Sequence, residues 1–244
     1  MIRIDPRQTQ SRAFTLGVPI LSAAIALGFA AIPLLAAGAN PITAYAEMFR
    51  GVFGSVFAFS EVLTRATPLI FTGLAAALAF RAKLWNIGAE AQLYAGAVIA
   101  VVLGPGALAW PSGVLLPVMA VCAMLAGAVV LLVPALLKTR LGVDEVVTTL
   151  LFNFIFLLFV SYLLEGPLKD PMGMGWPKSS RLIPDARLPR LVDGLRLHWG
   201  FALALLSALA VWVINTRTTF GYEMRAVGQN VEAARFAGIP VTVV

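Results

Sequence analysis

Five stretches of this chain carry no charged side chain: residues 13–46, 66–80, 91–137, 146–164 and 197–216. Runs this long and apolar leave few folds open. A helix that crosses a bilayer needs about 20 predominantly apolar residues to span roughly 30 Å of hydrocarbon. The 47-residue run from Ala91 to Leu137 is broken by Gly104-Pro105-Gly106 and Pro111-Ser112-Gly113, so it reads as two spans. Six spans are expected, at about 14–38, 66–82, 87–103, 114–137, 144–164 and 198–216. Strands of a membrane barrel would be shorter and would alternate in polarity, whereas a helix satisfies its own backbone inside lipid. The expected fold is therefore an all-α, polytopic transmembrane bundle forming one domain over 1–244. Residues 13–216 form its membrane region and 165–196 an outer loop. With 60% apolar and 12% charged residues, an ordinary soluble domain is excluded.

The net charge of +6 is no sign of nucleic acid, because the basic residues flank spans and no basic stripe interleaves with aromatics. Arg3, Arg7 and Arg12 precede the first span and favour a cytoplasmic N-terminus. Counting crossings then puts Arg81, Lys83, Lys138 and Arg140 inside, and residues 165–196 outside. That outer loop fits the positive-inside rule poorly, since it holds six basic and four acidic residues. The first apolar run is too long for a cleaved leader and reads as a retained anchor. A single cysteine, Cys122, excludes a disulfide framework, and one histidine, His198, without clustered Cys, Asp or Glu makes no metal site. No G-x-x-x-x-G-K motif occurs, so the chain has no phosphate cradle of that kind. No cofactor and no catalytic nucleophile are expected.

Polar groups inside the apolar region are the candidates for function. The charge-free segment 66–80 is 15 residues long, about 22 Å as a helix, and reads as a short span leading into residues 79–92. Asn86, Glu90 and Tyr94 stand at i, i+4, i+8 and would share one helical stripe. A carboxylate at that depth is costly unless it faces a partner or a watery cavity. Short or interrupted polar spans point to a transporter's central site. Alternatively, Glu90 pairs with Arg81 or Lys83 and merely staples a helix break. Glu145, Thr149 and Asn153 repeat the same spacing in the fifth span. There, hydrogen bonding that glues helices together is an equal reading. Together the stripes would offer donors and acceptors to a hydroxylated solute, beside Phe152, Phe154 and Phe156.

Beyond the last span, T-T-F-G-Y-E-M-R-A-V-G-Q-N-V-E-A-A-R-F-A-G-I at 218–239 reads as two short helices. Phe220, Met224 and Val227 would share a face, with Gly228 as a left-handed stop. Asn230 is a good N-cap with Glu232 in the following first turn, and Gly238 and Pro240 close the second helix. Such an elbow suits a soluble partner pushing on membrane helices, although polar loops also fold into capped turns with no partner.

Three segments, N-I-G-A-E-A-Q at 86–92, D-E-V-V-T-T-L-L-F-N at 144–153 and the elbow at 218–239, resemble the membrane permeases of ATP-binding-cassette importers. The likeness is to the branch for nucleosides and simple sugars, related to the ribose and branched-chain amino-acid permeases. It implies a subunit of the bacterial inner membrane that forms the translocation pathway and catalyses no covalent chemistry. Its partners would be a cytoplasmic ATP-binding subunit, an extracytoplasmic solute-binding protein, a second permease subunit (identical or related) and membrane lipid. It further implies that Asn86, Glu90 and Gln92 lie on the solute path, to which the residue reading adds Tyr94, Glu145, Thr149 and Asn153. Residues 217–240 would be the segment that couples to the ATPase. Gly228, Asn230, Ala233 and Ala234 would make the close contact, with Glu223, Arg225 and Arg235 at the rim, and Phe220, Gly221 and Gly238 are counted among the same ATPase-coupling residues. The family usually has Gly where this chain has Ala91, and usually continues through further membrane helices, so the likeness implies a C-terminally incomplete or unusually short permease. An ion-coupled secondary transporter titrating Glu90 is the alternative, and a membrane scaffold with a docking elbow a third.

Overall fold

A computed structural model describes residues 12–106 and 110–241, with side chains from residue 17 onward. The regular elements among these are helices: α1 (Arg12–Ala36), α2 (Pro41–Phe53), α3 (Val56–Arg81), α4 (Ala89–Leu103), α5 (Ser112–Leu141), α6 (Glu145–Glu165), α7 (Trp199–Arg217), α8 (Thr219–Gln229) and α9 (Val231–Phe236). A short 3-10 turn lies at Pro184–Ala186, and two isolated bridges tie the loop between α6 and α7. Five helices, α1, α3, α5, α6 and α7, are long and apolar enough to cross a membrane. This is the expected all-α polytopic architecture.

The chain divides into two compact units, Met1–Phe59 and Ser60–Val244. In the first, α1 is followed by a helix that the span count missed. Its signal is the Asn40-Pro41 pair: Asn40 Oδ1 accepts the amides of Ile42 (2.9 Å) and Thr43 (3.5 Å), and Pro41 fills the first helical position. Tyr45 Oη donates to the Leu27 carbonyl at 2.6 Å and ties α2 to α1. Arg3 and Arg7, on which the expected cytoplasmic N-terminus rests, lie outside the described residues.

α3 corrects the expected span at 66–82, because it begins at Val56 and runs 26 residues. Ser55 Oγ accepts the Ala58 amide at its start. Arg65, which bounded the charge-free run, lies exposed within the helix, and Glu61 one turn earlier meets Arg196 at 3.4 Å. Neither charge stops the helix. The short element is α4 instead, with 15 residues, about 22 Å. It is short because residues 82–88 are not helical.

Within the second unit, α4 packs on α5 and α6. Ala91, Ala95 and Val130 are buried there, with Ala126, Phe152 and Phe156 against them. Small residues set the spacing: a Cβ on Gly96 would sit 3.5 Å from that of Ala123. A second cluster, Leu115, Met119 and Ala186, holds the 3-10 turn onto α5. Two ends are thereby defined. At one, the Ile183 amide donates to the Gly104 carbonyl (2.9 Å) and Arg196 reaches Glu61. At the other lie the end of α3, the start of α4, Lys138, Glu145 and the α8–α9 elbow.

Both elbow helices form, with a different internal geometry. Thr218 Oγ1 accepts the Gly221 amide (3.2 Å) to start α8, and Asn230 Oδ1 accepts the Ala233 amide (3.0 Å) to start α9. Gly228 is not a left-handed stop; it lies inside α8, and the left-handed residue is Gly238 (φ 80°). The buried face of α8 is Gly221, Met224, Val227 and Gly228, while Phe220 is exposed. Backbone approach explains the glycines. A Cβ on Gly228 would stand 2.0 Å from the Arg81 carbonyl oxygen, and one on Gly221 would stand 2.2 Å from that of Ile214. α8 is therefore seated directly on the last turn of α3 and on the end of α7. Gly228→Val should lift α8 from α3 and cost about 1–3 kcal/mol, the range for overpacking a tight contact. The expected readout is a lower melting midpoint and faster proteolysis within 219–236, with helical content of the spans unchanged.

Candidate functional site

Residues 82–88 have backbone groups that no helix satisfies, and side chains from neighbouring helices take them up. α3 ends with the Leu84 amide donating to the Ala79 carbonyl (3.0 Å) and the Lys83 amide to that of Phe80 (3.1 Å). This stop needs a left-handed residue, and Lys83 supplies it at φ 55°, a conformation that costs a non-glycine residue about 1–2 kcal/mol. The Lys83 carbonyl accepts from Lys138 Nζ at 3.1 Å. Lys138 also pairs with the Glu145 carboxylate, whose Oε1 accepts the Trp85 amide at 3.3 Å. One turn on, Thr149 Oγ1 accepts the Ile87 amide at 3.2 Å. After another turn, Asn153 Nδ2 donates to the Ile87 carbonyl (2.8 Å) while its Oδ1 accepts the Ala91 amide (2.9 Å). Three successive turns of α6 thus grip three points of the break.

The expected stripe of Asn86, Glu90 and Tyr94 does not form as one helical face, because α4 starts only at Ala89. Asn86 lies in the break at 2% exposure, its Oδ1 accepting from the Gly88 amide (3.0 Å) and from Gln92 Nε2 (3.2 Å). Gln92, whose Cβ lies near Gly127 of α5, is thereby drawn into the same network. Glu90 points elsewhere: with Leu93 and Ala97 it makes the exposed side of α4. Among the described residues it has neither an ion pair with Arg81 or Lys83 nor any other polar partner. Tyr94 is half-buried, with no hydrogen bond from its hydroxyl among the described residues. Ala91, fully buried against Ala95 and Val130, fits without opening the packing. Phe152 and Phe156 are offset-stacked in that core (6.5 Å), whereas Phe154 is exposed.

Five expected residues, Asn86, Gln92, Glu145, Thr149 and Asn153, are therefore brought together around the break, while Glu90 and Tyr94 stand apart from it. Sequence reasoning missed Lys138, the cation that joins α5 to this knot. Its signal was present as a basic residue seven positions before Glu145 across the α5–α6 turn.

On the elbow, Arg225 is turned inward, its guanidinium donating to the Asn215 carbonyl at the end of α7. Ala234 is buried, while Ala233 and Arg235 face outward with Phe236, which is 97% exposed. Arg235 and Glu232 pair at 3.2 Å on that face. Among the described residues no cluster of His, Cys, Asp or Glu could hold a metal. Asn153→Leu would release both ends of its clamp and should lower stability by about 1–2 kcal/mol. Hydrogen exchange should then quicken at the Ala91 amide before it does at the α5 core.

The model of the permease component of branched-chain amino acid transport systems matches residues 58–244. The glucose ABC transporter permease protein of Haloferax volcanii is 38% identical over 98% of this chain and 65% of its own length. The guanosine ABC transporter permease protein of Bacillus subtilis is 35% identical, over 92% of the chain and 64% of its own. The nucleoside ABC transporter permease protein NupB of Lactococcus lactis is 30% identical, over 91% and 63%. The chain thus spans a little under two thirds of the length of these relatives. No solved structure matches. With the break, the α6 clamp and the elbow all inside the matched region, the chain belongs to the family of branched-chain amino acid transport system permease components.

Proposed function

We propose that this chain is a membrane permease subunit of an ATP-binding-cassette importer, carrying a nucleoside or a simple sugar. The observation that carries the reading is the seating of the elbow. α8 rests on the Arg81 carbonyl, the last turn before the break that leads into Glu90. A partner gripping the outward face of α9 would push on the break through a contact with no side chain to absorb the motion. Elbow, break and the start of α6 would then move as one body and tilt α4 between outward and inward access. The N-terminus and elbow would be cytoplasmic and the loop at 165–196 extracytoplasmic, in a bacterial inner membrane.

The partners follow from that mechanism. A separate cytoplasmic ATP-binding subunit would hydrolyse ATP and hold Ala233, Arg235 and the ring of Phe236. A second permease subunit, identical or related, would face the exposed Glu90 side of α4. A solute-binding protein would dock on the outer loop, where Trp176 is exposed. Hydroxyl groups of a ribose or hexose suit the carboxylate and the amides near the break, and relatives named for guanosine, nucleoside and glucose transport support that substrate class. The ion-coupled alternative is set aside, since those relatives are named as ABC transporter permeases.

The test is ATP hydrolysis by the reconstituted complex, screened over nucleosides and sugars; one class should stimulate it, and stimulation by none would overturn the reading. Glu90→Ala should abolish uptake while leaving the assembly intact, and wild-type uptake would remove Glu90 from the path. Ala233→Trp should end co-purification of the ATP-binding subunit without changing helical content, and normal co-purification would refute docking through α9.

A further inference from the structure

At the end remote from the elbow, a basic cluster takes no part in the break or in coupling. Residues 189–199 form a short hairpin: the Leu191 amide donates to the Leu197 carbonyl (2.9 Å), the Trp199 amide to that of Pro189 (3.1 Å), and Arg190 stands opposite His198. Gly194, at φ 82°, turns it. Directly opposed residues project from the same face, and the two-residue period adds Arg196 to that face. Arg190, Arg196 and His198 accordingly line one cleft of about 650 Å³, together with Arg187. Its depth is apolar, built from Ala100, Leu116, Met119, Ala120, Ala123 and Leu203 on the membrane helices.

The mouth is built, not incidental. Arg187 is fixed by two bonds to the Leu182 carbonyl (3.0 and 2.6 Å), and Arg196 is braced against Glu61 at 3.4 Å. His198 Nδ1 accepts the Gly200 amide at 3.1 Å, which puts the proton of a neutral ring on Nε2 as a donor. Three guanidinium groups thus meet one carboxylate among the lining side chains and Glu61. Asp185 and Asp193 belong to the same loop but do not line the cleft. Such a basic excess runs against the charge rule for an outer loop. It also sits over an apolar slot that opens among spans meant for lipid.

We infer that this cleft binds an anionic phospholipid, with the phosphate at Arg190 and His198 and an acyl chain along α5 and α7. Guanidinium groups match phosphate oxygens in paired geometry. A zwitterionic lipid brings its own ammonium to the mouth and gains less, and free phosphate leaves the apolar depth empty. The site stands independently of the transported solute.

Native mass spectrometry of the purified permease tests this, in mixed phosphatidylglycerol and phosphatidylcholine. Wild type should retain phosphatidylglycerol preferentially. Arg190→Gln should weaken retention about fivefold, the effect of one cation near an anionic headgroup, and Arg190→Lys should largely restore it. Ala120→Trp, which fills the slot and leaves the mouth intact, should also reduce retention, and added inorganic phosphate should not compete. Three results overturn the site: equal retention of both lipids by wild type, competition by phosphate, or unchanged lipid retention in Arg190→Gln. If Arg190→Gln does not fold, the wild-type preference and Ala120→Trp still decide the matter.

Discussion

The structure depends on one constraint: a backbone that leaves helical geometry among apolar helices must find hydrogen-bond partners for its amides and carbonyls. Residues 82–88 do so, and α6 meets the demand with a carboxylate, a hydroxyl and an amide on successive turns. Lys138 closes the arrangement by holding the Glu145 carboxylate and the Lys83 carbonyl together. Without these partners each orphaned group would cost about 1–3 kcal/mol, and the break would either heal into helix or unravel. The strained Lys83 is tolerated because its neighbours over-determine it.

That knot explains why the elbow lies where it does. A helix end exposes carbonyl oxygens, and Gly228 lets α8 settle against one of them, that of Arg81. Arg225 anchors the same helix to the end of α7. An element meant to flex independently would be joined by a linker; this one is pressed backbone to backbone against the segment that sets the direction of α4. The outward side of the elbow, by contrast, carries exposed Ala233, Arg235 and Phe236. One face of the elbow packs on the chain itself and the other is exposed.

Much of this was legible in the residues, and the failures have physical causes. Charge-free runs found the membrane helices, because lipid tolerates few charges and length sets what crosses it. Counting only charge-free residues shortened α3 by ten positions (Val56 against residue 66), since Arg65 sits exposed on the helix and Glu61 pairs with Arg196, a contact invisible in sequence. The i, i+4, i+8 spacing placed Glu145, Thr149 and Asn153 together correctly, because α6 is a continuous helix from Glu145. The same spacing misled at Asn86, where periodicity was read through a break whose cause lies on another helix. In the elbow, the caps Thr218 and Asn230 are local chemistry. Gly228 was misassigned because a glycine needed for close approach looks, in sequence, like one needed for a turn.

The central claim is that elbow and break move as one body. Spin labels at Ile87 and Gln229, both exposed, measure it directly in the complex with the ATP-binding subunit, free of nucleotide and then trapped with ATP. The account predicts an unchanged separation in the two states, while the distance from Gln229 to the hairpin at the far end shifts. A change between Ile87 and Gln229 on ATP binding, with the spans otherwise unmoved, would contradict it.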